Sequence, residues 1–222
     1  MTRILSRRAF VVATAVALVC GWSPGAWTEK GNPGGQQFHL FGQAVDAYDP
    51  VQPTNECIVF ETDPVNSVAG VERDLKPGTK IQNLDNQVQV KYYFDGTKTC
   101  GGGSPRFQLG IDCDGDGKFD WNAFGYLGDK PFGGGCVSNL WIFEDMTNEA
   151  AKWDLTKGGG TFVNTWTEMV LFINTQCPNH QVVNGVLVDD SCSFFPADCG
   201  AVYFDNLVIG DQTLNDHKDT AP

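Results

Sequence analysis

Histidine is scarce in this chain of 222 residues, with three in all. Neither a Gly-x-Ser-x-Gly elbow nor a His-Glu-x-x-His pair occurs, so the usual machinery of serine hydrolases and zinc proteases is missing. Helical periodicity is almost absent, which argues against a helix bundle or a doubly wound fold. Beyond the N-terminus, no apolar run approaches the roughly 20 residues that a membrane-crossing helix needs. Positive charge is short as well: 15 basic against 27 acidic residues leave a formal net charge of −12. So acidic a surface repels phosphate backbones, which makes nucleic acid and anionic lipid poor partners and favours neutral ligands, cationic ligands and bound cations.

The N-terminus is the exception to the missing apolar runs. Arg3, Arg7 and Arg8 flank an apolar stretch over 9–22, and Ser23, Pro24, Gly25 and Ala26 follow, the three-part plan of a cleavable secretory signal over 1–26. Within it, Ser6-Arg7-Arg8-Ala9-Phe10-Val11 resembles the twin-arginine export motif, which implies export in the folded state. Cys20 follows Val19, a larger residue than lipoprotein cleavage sites carry, so no lipid anchor is expected. Loss of 1–26 removes three arginines and no acid, which moves the net charge from −12 to −15. A leader rich in Gly, Pro, Lys and Gln follows over 27–37, then a domain over 38–212 and a polar tail over 213–222. The exported chain is expected to be secreted or to face the cell exterior.

Of eight cysteines, Cys20 lies in the signal. The other seven, Cys57, Cys100, Cys113, Cys136, Cys177, Cys192 and Cys199, are expected to pair for the most part in an oxidising compartment, with at least one left over. Cys192 with Cys199, or Cys100 with Cys113 or Cys136, would close short loops.

Segments rich in β-branched and aromatic residues recur between turn-forming clusters, at 38–41, 57–61, 88–94, 106–111, 123–127, 140–144, 168–173, 182–188 and 201–209. In 88–94, Val88, Val90, Tyr92 and Phe94 alternate with polar residues, as a half-buried strand requires. This pattern predicts an all-β, disulfide-bearing domain, an antiparallel two-sheet sandwich of jelly-roll type. One helical turn is expected, over 147–153. The Gly triplets at 101–103, 133–135 and 158–160 lack the Lys-Ser/Thr pair of a phosphate loop and read as tight turns.

Cys100-Gly-Gly-Gly-Ser-Pro-Arg-Phe107, with the aspartate-rich loop and Ala123-Phe-Gly-Tyr-Leu-Gly128 after it, resembles a group of exported prokaryotic β-sandwich domains of largely uncharacterised role. Val202-Tyr-Phe-Asp-Asn-Leu-Val-Ile-Gly210 is similar to the last strand of many jelly-roll carbohydrate-binding modules. The two resemblances imply a fold more than a function.

The sharpest chemical signal is Asp112-Cys-Asp-Gly-Asp-Gly-Lys-Phe-Asp120. Carboxylates at alternate positions of a turn can converge on one hard cation, which makes Asp112, Asp114, Asp116 and Asp120 candidate ligands for Ca2+. The loop departs from an EF-hand at its twelfth position, where Ala123 replaces the bidentate Glu; a solvated acidic hairpin is the competing reading. Exposed aromatic rings suit the C–H faces of sugars, with carboxylates for the hydroxyls. Trp121 beside the acidic loop and Trp141 close to Glu144 and Asp145 are the candidate ligand-binding residues, although aromatics in sandwiches are more often core. Cys177, His180, Cys192 and Cys199 could be drawn as a zinc site, but disulfides explain the cysteines more simply. Glu144, Asp145, Glu168, Asp189 and Asp190 supply carboxylates for a glycosidase pair.

The expectation is therefore a secreted, non-catalytic module that binds extracellular carbohydrate, with a calcium-stabilised loop. Two alternatives stand beside it: an extracellular polysaccharide-degrading enzyme using paired carboxylates, and a structural or adhesive surface protein linked through the odd cysteine.

Overall fold

The computed structural model describes residues 37–214 apart from 97, 99, 102, 129–134 and 163. The expected signal, all but the last residue of the leader and most of the polar tail lie outside the described residues. The first six strands are β1 (His39–Gly42), β2 (Ala44–Tyr48), β3 (Glu56–Thr62), β4 (Ala69–Asp74), β5 (Val88–Phe94) and β6 (Arg106–Asp112). Then come β7 (Trp121–Tyr126), β8 (Ile142–Asp145), β9 (Lys152–Asp154), the helix α1 (Trp166–Gln176), β10 (Gln181–Asp189), β11 (Gly200–Ile209) and β12 (Gln212–Leu214). One sheet runs β1-β4-β10-β6-β7-β9 and the other β2-β3-β11-β5-β8, with β12 on β11; neighbours within each sheet pair antiparallel. This is the expected two-sheet antiparallel sandwich.

Alternation of side chains along each strand builds the core. Val88, Val90, Tyr92 and Phe94 of β5 point inward with Ile58 and Phe60 of β3 and Val202 and Phe204 of β11, where they meet Phe107, Leu109 and Ile111 of β6. The rings of Phe60 and Phe204 lie 4.6 Å apart. Where β1 hands over to β2 the chain changes sheets at Gly42, whose φ of +65° and whose position 2.1 Å (as a Cβ) from the Val68 carbonyl oxygen exclude any other residue. Trp153 fills one end of the core with no exposed surface, donates its indole N–H to the Met146 carbonyl at 2.8 Å and packs on Trp166 at 5.8 Å.

Two expectations are corrected. Residues 168–173 are not a strand but the middle of α1. Thr165 caps that helix by accepting the Glu168 N–H while the Glu168 carboxylate accepts the Thr165 N–H, a reciprocal capping box. Trp166, Met169 and Ile173 bury one helical face. The contiguous apolar run reads equally well as strand or buried helix; the Thr165-x-x-Glu168 signature before it settles the matter. Conversely, 147–153 holds no helix. Its backbone is diverted into side-chain-capped turns, Thr147 N–H to Asp145 and Ala150 N–H to Asn148, before β9 begins.

β2, β4 and β9 went unread because acidic, basic or glycine residues interrupt their apolar pattern, and β12, three residues with one apolar side chain, runs past the expected domain end at 212. Disulfides join Cys100 to Cys136, Cys113 to Cys177 and Cys192 to Cys199. Three such bridges are typical of extracellular proteins. No helix among the described residues is long and apolar enough to cross a membrane.

Candidate functional site

Two places gather polar chemistry. The first is the connection between β6 and β7. Asp112 ends β6 with no exposed surface, and its carboxylate accepts four N–H groups: Asp114 at 3.1 Å and Gly115 at 2.6 Å on Oδ1, Gly117 at 2.8 Å and the Gln181 amide at 2.7 Å on Oδ2. Burial pushes the Asp112 carboxyl up, but these donors outweigh it and hold the group at about 2. Ligand oxygens of Asp112, Asp114 and Asp116 lie within 4.8 Å of one another, so this aspartate triad could hold a metal ion. Asp120 lies outside the triad; its carboxylate accepts the Cys113 N–H at 2.7 Å. The Cys113–Cys177 bridge ties the same loop to the end of α1.

The second place is the outer face of the sheet β2-β3-β11-β5-β8. Where Val90, Tyr92 and Phe204 point inward, Cys57, Lys91, Tyr93, Tyr203 and Asp205 point outward. Asp49, just after β2 at one edge, and Trp141, just before β8 at the opposite edge, meet across this face: the indole Nε1 donates to Asp49 Oδ1 at 3.1 Å. Asp49 is 2% exposed and also accepts the Val51 and Gln52 N–H groups at 2.7 and 3.0 Å. Burial acts to raise its carboxyl, yet these three donors and the Asn55 amide together lower it. Asn55 reaches both Asp49 and Asp205, at 3.4 Å each.

Three aromatic rings adjoin in this region. Tyr93 lies 5.6 Å from Trp141 and 6.1 Å from Tyr203. The Lys91 ammonium sits 4.6 Å from the Trp141 ring centre and 3.5 Å from Asp205 Oδ2. β11 bulges between Asp205 and Val208, and Asn206 takes a left-handed φ of +50°. The Asn206 N–H and side-chain amide then both donate to the Asp205 carboxylate, at 2.8 and 3.1 Å. A bulge with a left-handed residue other than glycine in a central strand re-aims a side chain at the cost of strain, and such features concentrate at functional sites. Cys57, the one free cysteine among the described residues, is buried here. Burial pushes its thiol up to about 12, with the Asp49 and Asp205 charges adding and Lys91 opposing. A thiol so held is neither nucleophilic nor presented to another chain.

The structure separates the residues singled out in the sequence. Trp141 lies on this aromatic face, and Asp145 ends the strand β8 that follows it, accepting the Gln89 amide at 3.1 Å. Glu144 points the other way and accepts the Gly128 N–H at 3.0 Å. Trp121 is elsewhere, half-buried edge-on to Phe172 at 6.2 Å, its indole donating to Cys113 Sγ. The remaining acids have structural partners: Glu168 caps α1, Asp189 pairs with Lys98, and Asp190 holds Arg106 in a two-pronged contact at 2.6 and 2.8 Å. The zinc drawing fails, since all three of its cysteines are in disulfides. His180 is buried, with Nε2 accepting the Ile81 N–H and Nδ1 therefore donating to the Cys177 carbonyl.

The segment 100–107 has a clear structural task. Cys100 is pinned to Cys136, Ser104 donates to the Val188 carbonyl and accepts the Asp190 N–H, and Arg106 clamps Asp190. It thereby locks the start of β6 to the end of β10. Against known proteins, the chain matches no family model, no curated protein and no solved structure.

Sequence reading missed Asp49, Lys91 and Tyr93 as neighbours of Trp141, and Asn55, Tyr203 and Asp205 as the partners of those three. Two local signals pointed there. Asp49-Pro50 is a turn initiator, and Asp205-Asn206 interrupts the apolar alternation of a long strand as a bulge does.

Proposed function

We propose that this chain is an exported, non-catalytic module that binds extracellular carbohydrate on the outer face of the sheet β2-β3-β11-β5-β8. The supporting observation is the part-exposed Trp141 and Tyr203 rings, backed by the buried Tyr93, beside Asp205, Asn55 and Lys91, with the indole fixed by Asp49. Sugar C–H faces stack on such rings, and hydroxyls take up amide, carboxylate and ammonium partners. Asp49 is a positioning residue: it orients Trp141 from within the fold. The similarity of 202–210 to the last strand of carbohydrate-binding modules agrees with this placement, since that strand carries Tyr203 and Asp205.

The loop 112–116 takes calcium in this proposal. Its candidate ligands are carboxylate oxygens, the donors a hard cation selects, and water and backbone carbonyls complete the six to eight positions calcium requires. Calcium there steadies the β6–β7 connection and takes no part in contacting sugar.

The test is a broad glycan array run on the purified chain with calcium and with a chelator. Trp141→Ala is expected to abolish binding to any glycan found while leaving the cooperative unfolding transition in place. Unchanged glycan binding by a folded Trp141→Ala variant refutes the placement, and an array without binding in either condition refutes the carbohydrate reading. Turnover of a bound polysaccharide would favour the enzyme reading instead.

A further inference from the structure

From the surroundings of Lys91 we infer that the face takes a saccharide bearing free amines, and that the Lys91 ammonium occupies the position of the ligand's ammonium. This deepens the carbohydrate reading and rests on it.

The side chains at this position form a recognition site for a cation. Trp141 offers a ring face, the best aromatic partner for an ammonium, and Lys91 Nζ uses it at 4.6 Å. Asp205 offers a carboxylate that is 8% exposed and held by the Asn206 N–H, the Asn206 amide and the Asn55 amide. Its own bulge fixes its direction, so the carboxylate is in place before any ligand arrives.

Lys91 itself is loosely held. Its contact with Asp205 is 3.5 Å, the limit of a hydrogen bond, and its side chain is 32% exposed. Asp205 is itself buried, but its Asn206 and Asn55 donors keep its charge partnered when the flexible lysine swings into water. Its departure leaves an oriented carboxylate and an indole face open to a second ammonium.

Charge selects among saccharides in the same direction. Among the described residues, Asp49, Asp145, Asp205 and Glu61 lie on or beside this face, with Lys91 among them. A uronic acid polymer is repelled, whereas an amine-bearing polymer is attracted both by the face and by the net charge of −12.

The experiment is calorimetric titration of the purified chain with three probes: a glucosamine oligomer with protonated amines, the fully N-acetylated oligomer of equal length, and a uronate oligomer. Titrations run at mildly acidic pH and moderate salt. The amine oligomer is expected to bind about tenfold tighter than its acetylated counterpart. Asp205→Asn is expected to erase that preference, since the amide keeps an acceptor for its neighbours but loses the charge. Lys91→Met removes the competitor and is expected to tighten the amine oligomer several-fold.

General attraction of a polycation to an acidic protein is separated by the same variant. Asp205→Asn changes one acid of 27, so long-range attraction survives it while a local site does not. Equal affinity for amine and acetylated oligomers, a preference that persists in Asp205→Asn, or tighter binding of the uronate each overturns the inference and leaves the carbohydrate reading standing. Binding of the acetylated oligomer that is unchanged in a folded Trp141→Ala variant overturns that underlying reading instead.

Discussion

Lys98 and Asp189 form an ion pair at 2.6 Å with neither side chain exposed. Asp189 ends β10 of one sheet, while Lys98 also donates to Thr62 at the end of β3 in the other, to Ser191 and to the Asp198 carbonyl. The pair therefore ties the two sheets together beside the Cys192–Cys199 loop. In Lys98→Met, Asp189 Oδ1 keeps the Ser191 hydroxyl and N–H at 2.9 and 3.3 Å, but Oδ2 takes no hydrogen bond and loses its ammonium. Stranding one buried charge costs about 3–5 kcal/mol, a large share of the roughly 5–15 kcal/mol that holds a domain folded. Asp189→Asn is expected at the lower end of that range, because three oxygen acceptors remain around Lys98. Replacing both, as Lys98→Met with Asp189→Leu, removes both charges together and is expected to cost less than either single change. Urea unfolding of the four proteins, followed by tryptophan fluorescence, gives the coupling, expected at about 3 kcal/mol or more. Single variants each costing under about 1 kcal/mol, or a double variant as damaging as the sum of the singles, would refute the reasoning.

Two further predictions concern stability. Paired serine replacement of Cys113 and Cys177, separated by 64 residues, should cost about 4 kcal/mol, against about 2 kcal/mol for Cys192 and Cys199, separated by 7; chemical denaturation that reverses this order contradicts the loop-entropy account. His180 is buried and neutral, and burial lowers its protonation in the fold below the ordinary value of 6.5, with the neighbouring Lys80 charge adding and its bond to Cys177 opposing. The unfolded chain then takes the proton first, so stability is full above pH 6.5 and falls as pH drops below it. Unfolding free energies measured from about pH 7 down to about pH 5 should show this slope in the parent and not in His180→Gln, above the range where carboxylates such as Asp112 titrate. An equal slope in both assigns the pH dependence to other groups.

How much of the molecule the sequence revealed depended on the range of the interactions involved. Val88–Phe94 was legible as a strand from its period-two alternation and 201–209 from its β-branched and aromatic residues, both local properties bounded by turn residues. The aspartate loop was legible because its carboxylates lie within a few residues of one another. Helix α1 was misread because its apolar run suits either conformation, even though its capping box was in plain view. β4 was missed since Arg73, charged in the sequence, is 1% exposed in the fold, donating to Asp211 and to the Ile209 carbonyl from far along the chain.

The sequence by itself therefore determined the β-rich class, the acidic surface and the odd number of cysteines after the expected signal, since each follows from composition or local periodicity. Tertiary structure alone decided which cysteine stays free, that Cys113 pairs with Cys177, and that Trp141 rather than Trp121 stands among tyrosines on a sheet face. It also brought Asp49 of one edge to Trp141 of the other, and Lys91 of β5 to Asp205 of β11. These groups are scattered along the chain and meet only through strand order and register. No local pattern encodes that order, because it is set by how two sheets jointly bury their inner faces.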